Sequence, residues 1–303
     1  MLDESAAGVF TIAATPFLPD GALDLDSIDT MVDFYADKGA TGLTILGIMG
    51  EAGELSAKES EAVIQRVTAR TDLPVVVGVS SPRIEAVERF SEIAMGHGAA
   101  GVMVAPQGTP RADDEVIAYF GDVAKRLGET SWVLQDFPLV TKIHIPAPVL
   151  RAIFDICPNC VMLKHEDWPG LEKISTLRQA EAEGARKVSI LCGNGGQFLL
   201  EEMLRGVDGA MTGFAYPEMM RDVVSLCNSG DIERARDVFD AYLPLVRYEC
   251  QPGLGLAARK YVLAKRGAIA HSKARKAGAE LSPAAMAEID TLIARQEARL
   301  SAL

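Results

Sequence analysis

Lys164 closes the apolar run Cys160-Val161-Met162-Leu163, and it is the residue whose type and setting most readily carry chemistry in this chain. Alternation along a strand puts its side chain on the face of Met162, opposite to Val161 and Leu163. If that face looks into an apolar interior, the amine is screened from water and can attack a carbonyl carbon. The alternative is a lysine reaching from a strand end into solvent. Glu51 ends the loop Gly47-Ile48-Met49-Gly50-Glu51 and can either move protons or brace the loop through backbone N–H groups. Gln135 can orient a hydroxyl or a water, but an amide is neither acid nor base at neutral pH. Its neighbour Asp136 has the opposite parity, which suits a supporting residue. Parity also sends His165 outward, and Glu166 follows it. The run Gly193-Asn194-Gly195-Gly196 and Thr212 suit close approach to a small molecule. No lysine follows the glycines, so they do not form a phosphate cradle. The histidines, at 97, 144, 165 and 271, share no ligand spacing, so no metal is expected.

Most of these residues stand where a short apolar run stops. Eight such runs are bounded by Gly, Pro or polar turns: VFTIAATPF from Val9, GLTILG from Gly42, PVVVGV from Pro74, AGVMVA from Ala100, WVLQDF from Trp132, CVMLK from Cys160, VSILCG from Val188 and DGAMTG from Asp208. Between them lie segments of helical period such as LDSIDTMVDFYADKG and SAKESEAVIQRVTART, several opening on Ser or Asp and closing on Gly. One strand and one helix in roughly 30 residues is the spacing of successive βαβ units. Strands apolar on both faces are strands covered by helices, and eight of them close. No strand leads into a G-x-G-x-x-G turn, which disfavours an open dinucleotide-binding sheet. The expected fold is α/β, a (β/α)8 TIM barrel over residues 1–220 with C-terminal helices over 221–303 packed on it as one structural unit. Its active site belongs at the C-terminal mouth of the strands.

The formal net charge of -12 repels phosphate backbones and anionic lipid, so no nucleic acid and no membrane partner is expected. Five dispersed cysteines suit a reducing, cytoplasmic setting, and Cys157-Pro-Asn-Cys160, lacking a second such pair, reads as structural thiols. The opening MLDESAAGVF has no basic region followed by an apolar one, so no secretory signal is expected, and the apolar runs fall short of a membrane span.

From about residue 8 to 265 the order of these motifs resembles the dihydrodipicolinate synthase and N-acetylneuraminate lyase superfamily. GVFTIAATPFLPDGALDLDSI is similar to its opening, Gly47 to Glu51 falls at its Gly-Thr-Thr-Gly-Glu loop, and Leu163-Lys164 at its Schiff-base lysine. The resemblance implies that Lys164 forms an imine with a 2-oxo acid and that loop amides at Gly47, Ile48, Met49 and Gly50 hold the acid's carboxylate. It also implies no cofactor beyond the imine, and a homotetramer or homodimer. The synthases that condense pyruvate with aspartate semialdehyde use a loop Thr, two Tyr and an Arg. Here those positions are Ile48, Gln135, a place near Gly108 and a place near Val140, so all four side chains are missing and that synthesis is disfavoured. The carboxylates with which sialic acid lyases hold sugar hydroxyls are absent from Gly193 to Gly196.

Gln135-Asp136-Phe137-Pro138, Lys164-His165-Glu166 and the stretch from Gly209 to Pro217 are instead similar to the 2-keto-3-deoxy-sugar-acid dehydratases, above all the L-2-keto-3-deoxyarabonate type. The function so implied is a lyase in which Lys164 forms the imine, Glu51 moves the protons, Gln135 orients the substrate, and Gly193, Asn194 and Thr212 contact it. A pyruvate-dependent aldolase is the first alternative. A non-catalytic 2-oxo-acid-binding barrel that has lost its proton relay is the second.

Overall fold

The computed structural model describes the chain except residues 109, 111, 277 and 279. In chain order the first half is β1 (Gly8–Ile12), α1 (Leu25–Asp37), β2 (Gly42–Ile45), α2 (Ala57–Arg70), β3 (Val75–Gly78), α3 (Ile84–Gly96), β4 (Gly101–Val104), α4 (Asp113–Leu127) and β5 (Trp132–Asp136). It continues with α5 (Pro138–Thr141), α6 (Ala147–Ile156), β6 (Cys160–His165), α7 (Leu171–Ala182), β7 (Ser189–Cys192), α8 (Leu199–Met203) and β8 (Gly209–Ala210), then α9 (Pro217–Ser229), α10 (Ile232–Glu249), α11 (Gly255–Lys265) and α12 (Pro283–Leu300). The strands pair in parallel, each with the next, and β8 returns to β1, giving a closed (β/α)8 barrel with extra C-terminal helices. All eight runs expected to be strands are strands.

Strand alternation sorts the side chains into two layers. Val9, Leu43, Ile45, Val77, Val104, Leu134, Leu163 and Ile190 face outward against Ile28, Val63, Val87 and Phe120 of the helices, and Val223, Val246 and Ile289 of the tail share that core. The tail is thus continuous with the barrel in packing. Residue 220, where the sequence-based division falls, lies within α9. Phe10, Ile12, Val76, Met103, Val133, Met162, Leu191 and Met211 fill the barrel, with Leu2 packed against them. A register shift sets Trp132 beside Cys160 and Val133 beside Met162. Val161, expected to face away from Met162, therefore packs with the interior group.

The helix starts follow the capping chemistry legible in the sequence. Asp24 accepts from Ser27 N, Ser282 accepts from Ala285 N, and Ser56 with Glu59 forms a reciprocal capping box. No described helix is long and apolar enough to cross a membrane.

Candidate active site

Lys164 sits near the C-terminal end of β6, only 5% exposed. Its Nζ lies 3.1 Å from Glu166 Oε2, and the parallel register sets Gln135 of β5 directly beside it. Gln135 Nε2 donates to the same Glu166 Oε2 at 2.7 Å. The other oxygen, Oε1, accepts from the backbone N–H of Asn194 at 3.2 Å, while Asn194 Nδ2 donates to the Glu166 carbonyl at 2.7 Å. Asn194 adopts φ 48°, a left-handed conformation its short amide tolerates. Gly193 has no side chain because Glu166 occupies the space: a Cβ there would lie 2.2 Å from Glu166 Cγ. Donors from the ends of three strands thus converge on one buried carboxylate that touches the lysine amine.

Glu166 was not singled out in the sequence, although a signal for it exists. Residues 164 and 166 share strand parity, so the argument that turns Lys164 inward also turns Glu166 inward. What the sequence could not show is that Gln135 and Asn194 both serve this side chain.

Of the two roles open to Glu51, its contacts support the bracing one. Its carboxylate is buried, but Oε2 pairs with Lys260 Nζ and Oε1 accepts from the backbone N–H groups of Arg275 and Lys276 at 2.8 Å each. Both oxygens are committed to the tail, so the carboxylate braces its loop and does not turn to Lys164. The partners lie more than 200 positions away in sequence, beyond the reach of any local pattern.

The loop before Glu51 is a single 3-10 turn, Ile48–Gly50. Gly50 N donates to Gly47 O, and Thr15 Oγ1 holds the Gly50 carbonyl at 2.6 Å. The N–H groups of Ile48 and Met49 open the turn, where no carbonyl within it can reach them. Ile48 is 50% exposed and brings no hydroxyl to the mouth. Leu139 and Val140, which follow β5, are exposed and apolar. Thr212 is buried beyond β8, its carbonyl accepting from Ile12 N at 3.0 Å.

Behind the barrel wall lies a second polar layer. His165 Nδ1 stands 3.2 Å from Glu202 Oε1, and Lys173 Nζ bridges Asp136 at 2.6 Å and Asp167 at 2.7 Å. Both His165 and Asp136 point away from Lys164, as parity required. Burial pushes the Asp136 carboxyl up against the opposing pull of Lys173. Burial likewise pushes the Cys157 thiol up to about 11, and Cys160 is also raised, which suits structural thiols. Among the described residues no His, Cys, Asp and Glu side chains cluster as a metal site.

The closed eight-stranded barrel thus carries a buried lysine–carboxylate pair at the end of β6. The chain belongs to the dihydrodipicolinate synthetase family, whose model matches residues 5–296, and members of this family are lyases that act through a lysine Schiff base. The crystal structure of dihydrodipicolinate synthase from Rhodopseudomonas palustris is similar over 97% of this chain and 99% of that one, at 50% identity and a TM-score of 0.95. The 4-hydroxy-tetrahydrodipicolinate synthase of Methanococcus maripaludis is 26% identical over 79% of this chain and 82% of its own length. The L-2-keto-3-deoxyarabonate dehydratase of Azospirillum brasilense is 27% identical over 93% of this chain and 92% of its own length.

Proposed function

We propose that the protein dehydrates a 2-keto-3-deoxy sugar acid through an imine at Lys164, with Glu166 as the proton carrier. The observation that carries this reading is the Glu166 carboxylate 3.1 Å from Lys164 Nζ, held by Gln135 and Asn194. Lys164 Nζ attacks C2 of the 2-oxo acid and water leaves, giving a protonated imine. C3 then stands two bonds from Nζ, within reach of Glu166, which takes a C3 proton as the electron pair moves to the imine nitrogen. The enamine returns that pair and expels the C4 hydroxyl, which Glu166 protonates to water. Hydrolysis frees the lysine, and the net change is loss of one water. The amides of Ile48 and Met49 hold the carboxylate, and Gln135 keeps Glu166 in register.

The names of the synthase relatives favour a second reading, condensation of pyruvate with an aldehyde on the same lysine. The hydroxyls and the arginine of that reaction have no counterpart at Ile48, Gln135 and Val140, whereas Glu166 supplies a proton carrier suited to elimination. The working state in this reading is a cytoplasmic homotetramer or homodimer, and light scattering on the purified protein checks the assembly.

The test is borohydride trapping with pyruvate, with L-2-keto-3-deoxyarabonate and with related deoxy acids, followed by intact mass and mapping of the adduct. An adduct on Lys164 one water lighter than the reduced imine of the intact deoxy acid supports dehydration. A pyruvate-sized adduct from every longer acid supports aldol cleavage. No adduct from any of them, on folded protein, overturns the imine.

A further inference from the structure

The tail segment Lys273 to Lys276 crosses from the end of α11 to the loops that follow β1 and β2. It is tied there by contacts that the mechanism does not use. Lys260, fully buried, donates from Nζ to Glu51 and to the Lys273 carbonyl at 2.9 Å, and it stands over the Phe17 ring at 4.6 Å. Arg275 donates to Gly21 O at 2.6 and 3.0 Å and to Glu54 O at 3.2 Å, pairs with Glu59 at 2.9 Å, and also stands over the Phe17 ring, 4.4 Å from its centre. The knot formed by Glu51, Lys260 and the backbone of 275 and 276 directly follows the turn Ile48–Gly50. On its other side Thr15 clamps the Gly50 carbonyl. Glu51 itself holds a left-handed backbone, φ 53°, which for a glutamate needs outside support.

We propose that Lys260 and Arg275 are positioning residues for the 2-oxo acid's carboxylate: they strap the tail over Glu51 and so hold the amides of Ile48 and Met49 in the orientation that binds the anion. This inference rests on the reading that Lys164 condenses with a 2-oxo acid. A buried ammonium is costly unless paired, and its placement on the loop residue next to the amides spends that cost on loop geometry. Neither side chain touches the reacting atoms. Losing them weakens the grip on the carboxylate while the lysine chemistry at saturation persists.

The experiment is borohydride trapping of pyruvate and of its methyl ester by the full-length wild type, Lys260→Met and Arg275→Met, with folding checked by circular dichroism. The ester lacks the anion, so the ratio of half-saturating concentrations isolates the carboxylate contact from general damage. The expected result is that the half-saturating pyruvate concentration rises about tenfold in Lys260→Met, and less in Arg275→Met, while the maximal trapping rate stays within about threefold. The preference for pyruvate over the ester then shrinks by a similar factor. If Lys260→Met does not fold, Arg275→Met carries the test, since its side chain is partly exposed. Unchanged half-saturation and preference in folded variants overturn the positioning role and leave the imine intact. Failure of the wild type to trap pyruvate at any concentration removes the imine reading and this inference with it.

Discussion

Replacing Glu166 by Gln separates imine formation from proton transfer. Glu166 Oε2 accepts from both Lys164 and Gln135, and Oε1 accepts from Asn194 N. A glutamine can keep its oxygen at the Oε2 position and serve the first two donors, but its NH2 then meets the Asn194 N–H. One hydrogen bond is lost and the buried Lys164 loses its counter-charge, together about 3–5 kcal/mol at most, less where the amine gives up its proton. The barrel and the lysine keep most of their contacts, which Glu166→Ala does not guarantee, because it strands three donors. The loss of a positioned acid and base falls on the rate: such groups contribute about 10²–10⁴ in rate, or about 3–5 kcal/mol of barrel-mouth transition-state stabilisation. The assay is release of the dehydrated product from a 2-keto-3-deoxy acid in single turnover, beside borohydride trapping of pyruvate on the same preparation. The expected outcome is elimination slowed at least 100-fold with imine trapping reduced less than tenfold. Elimination within a few-fold of wild type refutes Glu166 as the proton carrier, and loss of trapping equal to the loss of elimination refutes the separation of the two roles.

Three further outcomes follow from the same geometry. Gly193→Ala forces a Cβ to within 2.2 Å of Glu166 Cγ; displacing the carboxylate by about 1 Å is expected to slow elimination about 100-fold, with pyruvate trapping on Lys164 retained. Glu249, buried beside Arg259, has its carboxyl pushed up from 4.5 to about 6 by burial. The folded state therefore holds this proton more tightly than the unfolded one, and the stability it contributes is present below pH 4.5 and lost as pH rises through 6. The unfolding free energy of wild type minus that of Glu249→Gln is expected to fall by about 2 kcal/mol across this window in denaturant titrations, and a flat difference contradicts the assignment. Lys164→Met is expected to abolish trapping and to lower the melting temperature, because it leaves the buried Glu166 carboxylate without its cationic partner; trapping that persists in the folded variant refutes Lys164 as the imine lysine.

The barrel was legible because its information is local. Runs such as VVVG at β3 and GVMV at β4 are apolar on both faces and stop at turns, and Asp24, Ser56 and Ser282 announce their helices one residue ahead. Lys164 and Gln135 were legible for a related reason, since a strand end in a barrel is by construction part of the mouth. The partner of Glu51 and the role of Glu166 escape the sequence for different reasons. Glu51 has the right loop, but its charge is matched by a lysine 209 positions later, and no periodicity reports a pairing of that range. Glu166 needed only parity carried two residues past the lysine, to where the ladder ends and alternation becomes a weaker guide. Gly193 and Asn194 are legible as mouth residues from their loop position, but their contacts with Glu166 are not.

Met103, Met162 and Met211 lie in the barrel interior, each no more than 1% exposed, whereas Met1 is almost entirely exposed. Thioethers are oxidised by peroxide where peroxide can reach them, so within one molecule a free side chain and three sealed ones form a built-in clock. Met1 registers the oxidant dose, and the interior three convert to sulfoxide only as often as the strands part. Peptide masses after a timed peroxide pulse thus read the opening frequency of the cylinder, and a small molecule bound at the mouth should slow that clock without touching a methionine.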